Sequence, residues 1–239
     1  MSNTPKAELV LALDFPEPAP ALALAEQLRG IVTWMKVGLE LYLIGGQPLI
    51  ARLKDMGFKV FLDLKFMDIP NTVQGAVVQA TRMGADMLTL HALGGKNMSE
   101  GALAGREKGL TSGQTPPILL AVTVLTSMGP QDLIWKHDAT DVDVTSMVSL
   151  LATSVQSWKL DGVVCSGREV RAIRGTCGPD FQLLTPGIRM PNGEAGDQTR
   201  VCTPAQAVRD GSNFLVVGRP ITKASDPVHM ARLFLEDIK

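Results

Sequence analysis

The chain is poor in the residues that tie small secreted folds together. Among 239 residues there are only 3 cysteines, Cys165, Cys177 and Cys202, scattered and without a CxxC pair. An odd, dispersed set argues against a disulfide framework and against a cysteine-based metal site. It fits a reducing compartment, so the cytoplasm is the expected location. An excess of one charge is also missing: 23 Lys and Arg face 24 Asp and Glu, a formal net charge of -1. That balance offers no basic footprint for nucleic acid or for an anionic membrane, so any bound anion must be held by a local site. No apolar run approaches the roughly 20 residues needed to span a bilayer. The opening MSNTPKAELV lacks the long apolar core of a signal peptide. No GxGxxG follows the first apolar run, which counts against a dinucleotide-binding fold.

What is present is a regular alternation. Short apolar runs fall at 8–13 (ELVLAL), 31–37 (IVTWMKV), 58–65, 85–91 (ADMLTLH), 117–124 (PILLAVTV), 161–165 (DGVVC), 181–185 (FQLLT) and 213–217 (NFLVV). Near-continuous apolar strands belong to parallel sheets covered on both faces. Between them lie helical patterns at 18–29, 45–56, 70–83, 97–109, 142–158 and 203–210, and a last helix opening at Asp226-Pro227. In 70–83, Val73, Ala76, Val77 and Ala80 make one apolar face, with Pro70 near the start and Gly84 just past the end. Thr203-Pro204-Ala205-Gln206 is a capping-box pattern. The stretch 127–145 is a long connection with room for a short extra helix. No repeat or linker divides the chain, and such barrels run to about 250 residues as one domain. The expectation is therefore an α/β fold, a single (β/α)8 TIM barrel over residues 1–239.

In such barrels chemistry sits at the C-terminal ends of the strands. The first run leads to Asp14, the second carries Lys36, the third Asp63 and Lys65, and the fourth ends in His91. The fifth is followed by Thr126 and Ser127, the sixth by Ser166, the seventh by Pro186-Gly187-Ile188-Arg189 and the eighth by Gly218-Arg219. The densest stretch is FLDLKFMDIPNT at 61–72, where Asp63, Lys65 and Asp68 lie among apolar residues. Residues two apart in a strand share a face, so Asp63 and Lys65 should project side by side. Charges beside apolar walls are costly unless paired or used in chemistry. Taken singly, Lys36 also fits a surface lysine, Asp14 a turn residue, and His91 a hydrogen-bonding group behind the site. The loops PGIRMPNGEAGDQTR and VVGRPITKASDP resemble a phosphate site after strands seven and eight. There Gly187 and Gly218 permit close approach, Arg189 and Arg219 bring positive charge, and Gln198 sits in a loop whose length suits a lid.

LDLKFMDIPNT, LTLHALGG, AVTVLTSM, LLTPGIR, GDQTR and VVGRPI, in that order from ALD at 12–14 to GRPIT at 218–222, resemble the orotidine 5'-phosphate decarboxylase family. Met67 departs from the pattern, since many bacterial members carry histidine there; it lies between the charged positions and is not one of them. The resemblance implies decarboxylation of orotidine 5'-phosphate to UMP, without a metal or organic cofactor. It implies a charge array of Lys36, Asp63, Lys65 and Asp68, in which Lys65 stabilises the C6 carbanion and protonates it. Asp63 would lie near the departing carboxylate. Asp68 and Thr72 would come from the neighbouring subunit, hence a homodimer with shared sites. Asp14 and Lys36 would meet the ribose hydroxyls, Thr126 and Ser127 the pyrimidine ring, and Arg189, Gln198, Gly218 and Arg219 the phosphate and lid. Two other readings compete. One is a superfamily relative acting on a sugar phosphate through an enediolate with Mg2+. The other, a non-catalytic nucleotide-binding barrel, would call for a damaged array, and all four charged positions are intact.

Overall fold

The computed structural model describes residues 7–129, 132, 144–191 and 201–239. The elements run β1 (Glu8–Ala12), α1 (Pro18–Gln27), β2 (Trp34–Gly38), α2 (Leu39–Asp55), β3 (Lys59–Phe66), α3 (Pro70–Arg82) and β4 (Met87–His91). A short 3-10 turn (Ala92–Gly94) leads into α4 (Gly95–Gly109), β5 (Ile118–Val122), α5 (Val144–Ser157), β6 (Gly162–Val164) and α6 (Val170–Cys177). The chain closes with β7 (Gln182–Thr185), α7 (Pro204–Asp210), β8 (Phe214–Val217), α8 (Arg219–Thr222) and α9 (Pro227–Asp237). All strand pairs are parallel and β8 returns to β1, so the sheet is a closed eight-stranded barrel. No helix among the described residues is long and apolar enough to cross a membrane.

Elements differ from the sequence pattern where local chemistry intervenes. Residues 31–33 extend no strand, because Ile31 and Val32 donate their N–H groups to the Leu28 carbonyl and close off α1. Helix α2 begins at Leu39 rather than 45 and is broken at Gly46, whose φ of 52° and ψ of -151° are non-helical, just before Pro48. Helices α6 and α8 are too short to announce themselves by period. Half of the Thr203 capping box forms: Gln206 N donates to the Thr203 side chain at 3.3 Å, while the Gln206 side chain turns to Asp210 and Arg209. The extra helix allowed within 127–145 falls largely outside the described residues.

Two apolar layers share the strands. Inside the barrel, Val10, Trp34, Phe61, Met87, Leu120, Leu184 and Phe214 form a plug, with Trp34 and Phe214 edge to face at 5.4 Å. The other strand faces pack against the helices. At the N-terminal rim one device recurs three times. Asp86 accepts from Val60 N and Lys54, Asp161 from Leu119 N and Arg106, and Asn213 from Leu183 N and Arg174. Each side chain before an even strand thus satisfies the N–H of the preceding strand and a basic side chain from the helix before it. This end carries stability; it leaves the opposite end free for chemistry.

Helix α3 follows the charged stretch and is held by α4. A Cβ at Gly105 would lie 2.6 Å from the Gln74 carbonyl oxygen, and one at Gly101 2.7 Å from that of Pro70. Close backbone approach therefore needs glycine there. Gly105→Ala is expected to destabilise the protein by about 1–3 kcal/mol, since a backbone must shift. Gly175→Ala, in α6 with nothing within 4 Å of the added Cβ, should instead stabilise by about 0.5–1 kcal/mol. Denaturant melts of both variants check the contrast.

Candidate active site

The period of the strands decides which residues meet at the C-terminal mouth. Two residues beyond Trp34, Phe61 and Met87 of the plug come Lys36, Asp63 and Thr89, one step higher on the same inward faces. The apolar plug thus forms the floor beneath a charged layer. Lys36 is only 8% exposed. Its ammonium lies 3.0 Å from Asp14 Oδ1 and 3.8 Å from Asp63 Oδ2. Lys65 Nζ lies 2.8 Å from the same Asp63 oxygen. The result is an alternating row, Asp14, Lys36, Asp63, Lys65, drawn from β2, β3 and the end of β1. A Cβ at Gly38 would stand 3.1 Å from Lys36 Nζ, so that glycine leaves room for the ammonium.

Asp63 and Lys65 do meet, but not as neighbours on a regular strand. Between the pairs Leu62↔Leu88 and Phe66↔Leu90 the β3–β4 register shifts. Three residues, Asp63, Leu64 and Lys65, there face one, Thr89. Lys65 takes a left-handed backbone with φ of 51°, a conformation costing a non-glycine residue on the order of 1 kcal/mol. Bulges of this kind re-aim side chains beside functional sites. Thr89, fully buried, accepts from Lys65 N at 3.0 Å and donates to Asp63 Oδ1 at 2.8 Å. Sequence reasoning passed over this threonine. Its signal was a single hydroxyl in an apolar strand, two residues before His91 and hence on the same face.

Burial by itself pushes the Asp63 carboxyl up. Lys36, then Lys65, then hydrogen bonds from Lys65 and Thr89 outweigh it, and the carboxyl titrates below its ordinary 3.8. His91, half-buried, is pushed below its ordinary 6.5 by burial and then by Lys65, with Asp63 opposing. A neutral imidazole suits its place behind the array.

Above the row opens a cavity of about 240 Å3, lined by the polar Lys36, Asp63, Lys65 and Thr126 and by the apolar Phe61, Val122, Val124, Leu125, Val164, Leu184, Pro186 and Val216. Thr126 is half-buried in its wall, while Ser127 is exposed and outside the lining set. Arg189 is pulled below the usual arginine value by burial and then by Arg219. The two guanidinium groups are therefore near enough to feel one another, and paired guanidinium groups suit an anion such as phosphate. Gly218 precedes Arg219 and faces Asp14, where a Cβ would come within 3.7 Å of Oδ2. Asp68 stands apart: it is exposed and forms no ion pair among the described residues, its carboxylate accepting from Ile69 N at 2.6 Å. Thr72, on the first turn of α3, is exposed as well. Gln198 and the expected lid lie outside the described residues. Among those described, no three His, Cys, Asp or Glu side chains are grouped to ligate a metal ion.

Several known proteins are similar to this chain over nearly its whole length. The chain is 54% identical over 231 residues to an orotidine 5'-phosphate decarboxylase of Maridesulfovibrio salexigens, covering 97% of this chain and 98% of that protein. It is 50% identical over 234 residues to one of Nitratidesulfovibrio vulgaris, covering 97% of each. A crystal structure of orotidine 5'-phosphate decarboxylase from Lactobacillus acidophilus superposes with a TM-score of 0.87 at 35% identity, covering 98% of this chain and 99% of that one. The model of the Orotidine 5'-phosphate decarboxylase / HUMPS family matches residues 7–234. The chain belongs to that family.

Proposed function

We propose that this protein is a carboxy-lyase that converts orotidine 5'-phosphate to UMP and CO2, with residues 1–239 as one catalytic domain. The observation that carries the reading is the carboxylate of Asp63 held between Lys36 and Lys65 beneath an apolar-walled cavity. Breaking the bond from C6 to the carboxyl carbon leaves an electron pair on a carbon with no ring atom placed to delocalise it. A fixed cation in a low-dielectric site stabilises that pair without reorganising. In this role Lys65 Nζ faces C6, offsets the developing charge and transfers its proton to form the C6–H bond, then regains one from solvent. Asp63, itself held by Lys36, aims the Lys65 ammonium. Asp63 also lies on the side of the departing carboxylate.

The remaining assignments follow the family resemblance. Asp14 and Lys36 take the ribose hydroxyls, Thr126 and Ser127 the pyrimidine ring, and Arg189, Arg219, Gly218 and Gln198 the phosphate. Binding energy gained at the phosphate offsets the cost of dehydrating the ring site. Asp68 and Thr72 serve the site of a second copy in a homodimer. Exposed Leu39, Leu43, Ile44, Met67, Ile69 and Leu93, around the ends of three adjacent strands, supply the apolar face such a dimer would cover. The three free cysteines are consistent with a cytoplasmic protein.

Three experiments test this reading. Purified protein in EDTA should lower the ultraviolet absorbance of orotidine 5'-phosphate rapidly, and Lys65→Ala should cut kcat by roughly a thousandfold or more. Turnover that depends on added Mg2+ would favour the sugar-phosphate alternative. Lys65→Ala and Asp68→Ala proteins, each inactive, should regain about a quarter of wild-type activity when mixed and re-equilibrated, since each hybrid dimer keeps one intact site; no recovery would rule out shared sites. Finally, a carboxyl depressed in the folded state contributes stability that is present above its ordinary 3.8 and lost as pH falls through the folded value. Asp63→Asn should therefore lower the thermal midpoint at neutral pH, and the gap to wild type should shrink as the pH drops below 3.8.

A further inference from the structure

We propose that Thr89 is a positioning residue that sets the aim of the Lys65 ammonium by holding the β-bulge and the Asp63 carboxylate with one hydroxyl. The inference deepens the decarboxylase reading and rests on it. At the bulge the β3–β4 ladder is interrupted, so the Lys65 N–H has no strand carbonyl opposite it and donates to Thr89 Oγ1 at 3.0 Å. That leaves the hydroxyl proton one direction to point, to Asp63 Oδ1 at 2.8 Å. The other carboxylate oxygen is then presented to both lysines, at 2.8 Å from Lys65 and 3.8 Å from Lys36. A single oxygen, fully buried in β4, therefore couples the left-handed backbone of Lys65 to the orientation of its own counter-charge. Without it, the Lys65 N–H is a half-buried donor lacking a partner, and Asp63 can rotate about its terminal torsion. Thr89 touches neither the ammonium nor the space above it, so its effect passes through Asp63 and Lys65.

The charged and titratable groups facing Asp63 are Lys36 from β2, Lys65 from β3 and His91 from β4, with Asp14 beyond Lys36. Thr89→Val keeps shape and volume but removes the hydroxyl, and Thr89→Ser keeps the hydroxyl. The expected result for Thr89→Val is a fall in kcat of about 10- to 100-fold with KM within about threefold, the signature of a misplaced reacting group. The acid limb of its kcat–pH profile should move to higher pH, because the charged form of Asp63 loses a hydrogen bond. Thr89→Ser should restore both. Thr89→Ala, which puts no methyl against the bulge, gives the same reading if the valine protein does not fold. Unchanged kcat and pH profile in a folded variant without the hydroxyl, or equal losses in the serine protein, would overturn the proposal. Amide hydrogen exchange at Lys65 reads the contact without turnover: protection should fall in Thr89→Val and persist in Thr89→Ser. Wild-type protein that fails to decarboxylate but shows this exchange pattern would defeat the functional reading, and with it the catalytic part of the proposal, while leaving the structural contact standing.

Discussion

The arrangement of the whole molecule turns on one carboxylate, Asp63, set between two ammonium groups at the mouth of a barrel whose interior is otherwise apolar. Burial alone would drive that carboxyl toward its neutral form; Lys36, Lys65 and Thr89 reverse the balance. The converse also holds, because Lys36 is nearly buried and would be costly without Asp14 and Asp63 beside it. None of these residues is stable in its place alone. They form a unit whose members come from four consecutive strand segments, so its geometry depends on the parallel register of β1 to β4.

That dependence explains why the two ends of the barrel are built so differently. At the N-terminal rim, Asp86, Asp161 and Asn213 each tie two strands and a helix together with short hydrogen bonds, and the Trp34–Phe214 pair closes the interior above them. This rigid end fixes the heights of the strands. The functional layer then follows from simple alternation, two residues further along. At Lys65 the alternation gives way to a bulge with a left-handed backbone, and Thr89 accepts from the Lys65 N–H there. Local strain is thus concentrated at the proposed proton donor and supported from the next strand.

The segment after β3 has a second task. The loop through Met67, Asp68 and Ile69 is exposed and leads into α3, which the α4 glycines allow to pack at close backbone range. On the proposed reading, the same few residues that place Lys65 in one site send Asp68 and Thr72 to another. Rigid seating of α3 would then matter to catalysis as well as to stability.

Much of this was legible before any coordinates. Near-continuous apolar runs separated by helical patterns determined a (β/α)8 barrel, and the polar residues gathered at one end of those runs located its working face. Asp14, Lys36 and Asp63 lie together because register and inward alternation are short-range consequences of the strand pattern, whereas Lys65 joins them through the bulge. Tertiary structure alone decided what two separate strands do to each other. The register shift opposite Thr89, the positive φ of Lys65 and the break of α2 at Gly46 arise from close contacts or backbone torsions that a periodicity does not encode. So does the role of Thr89, a residue 26 positions from Asp63 whose single hydroxyl acquires meaning only when β3 and β4 lie side by side. A sequence states which groups are available at each height of a strand; only the packed barrel determines which atoms are left facing one another without a partner.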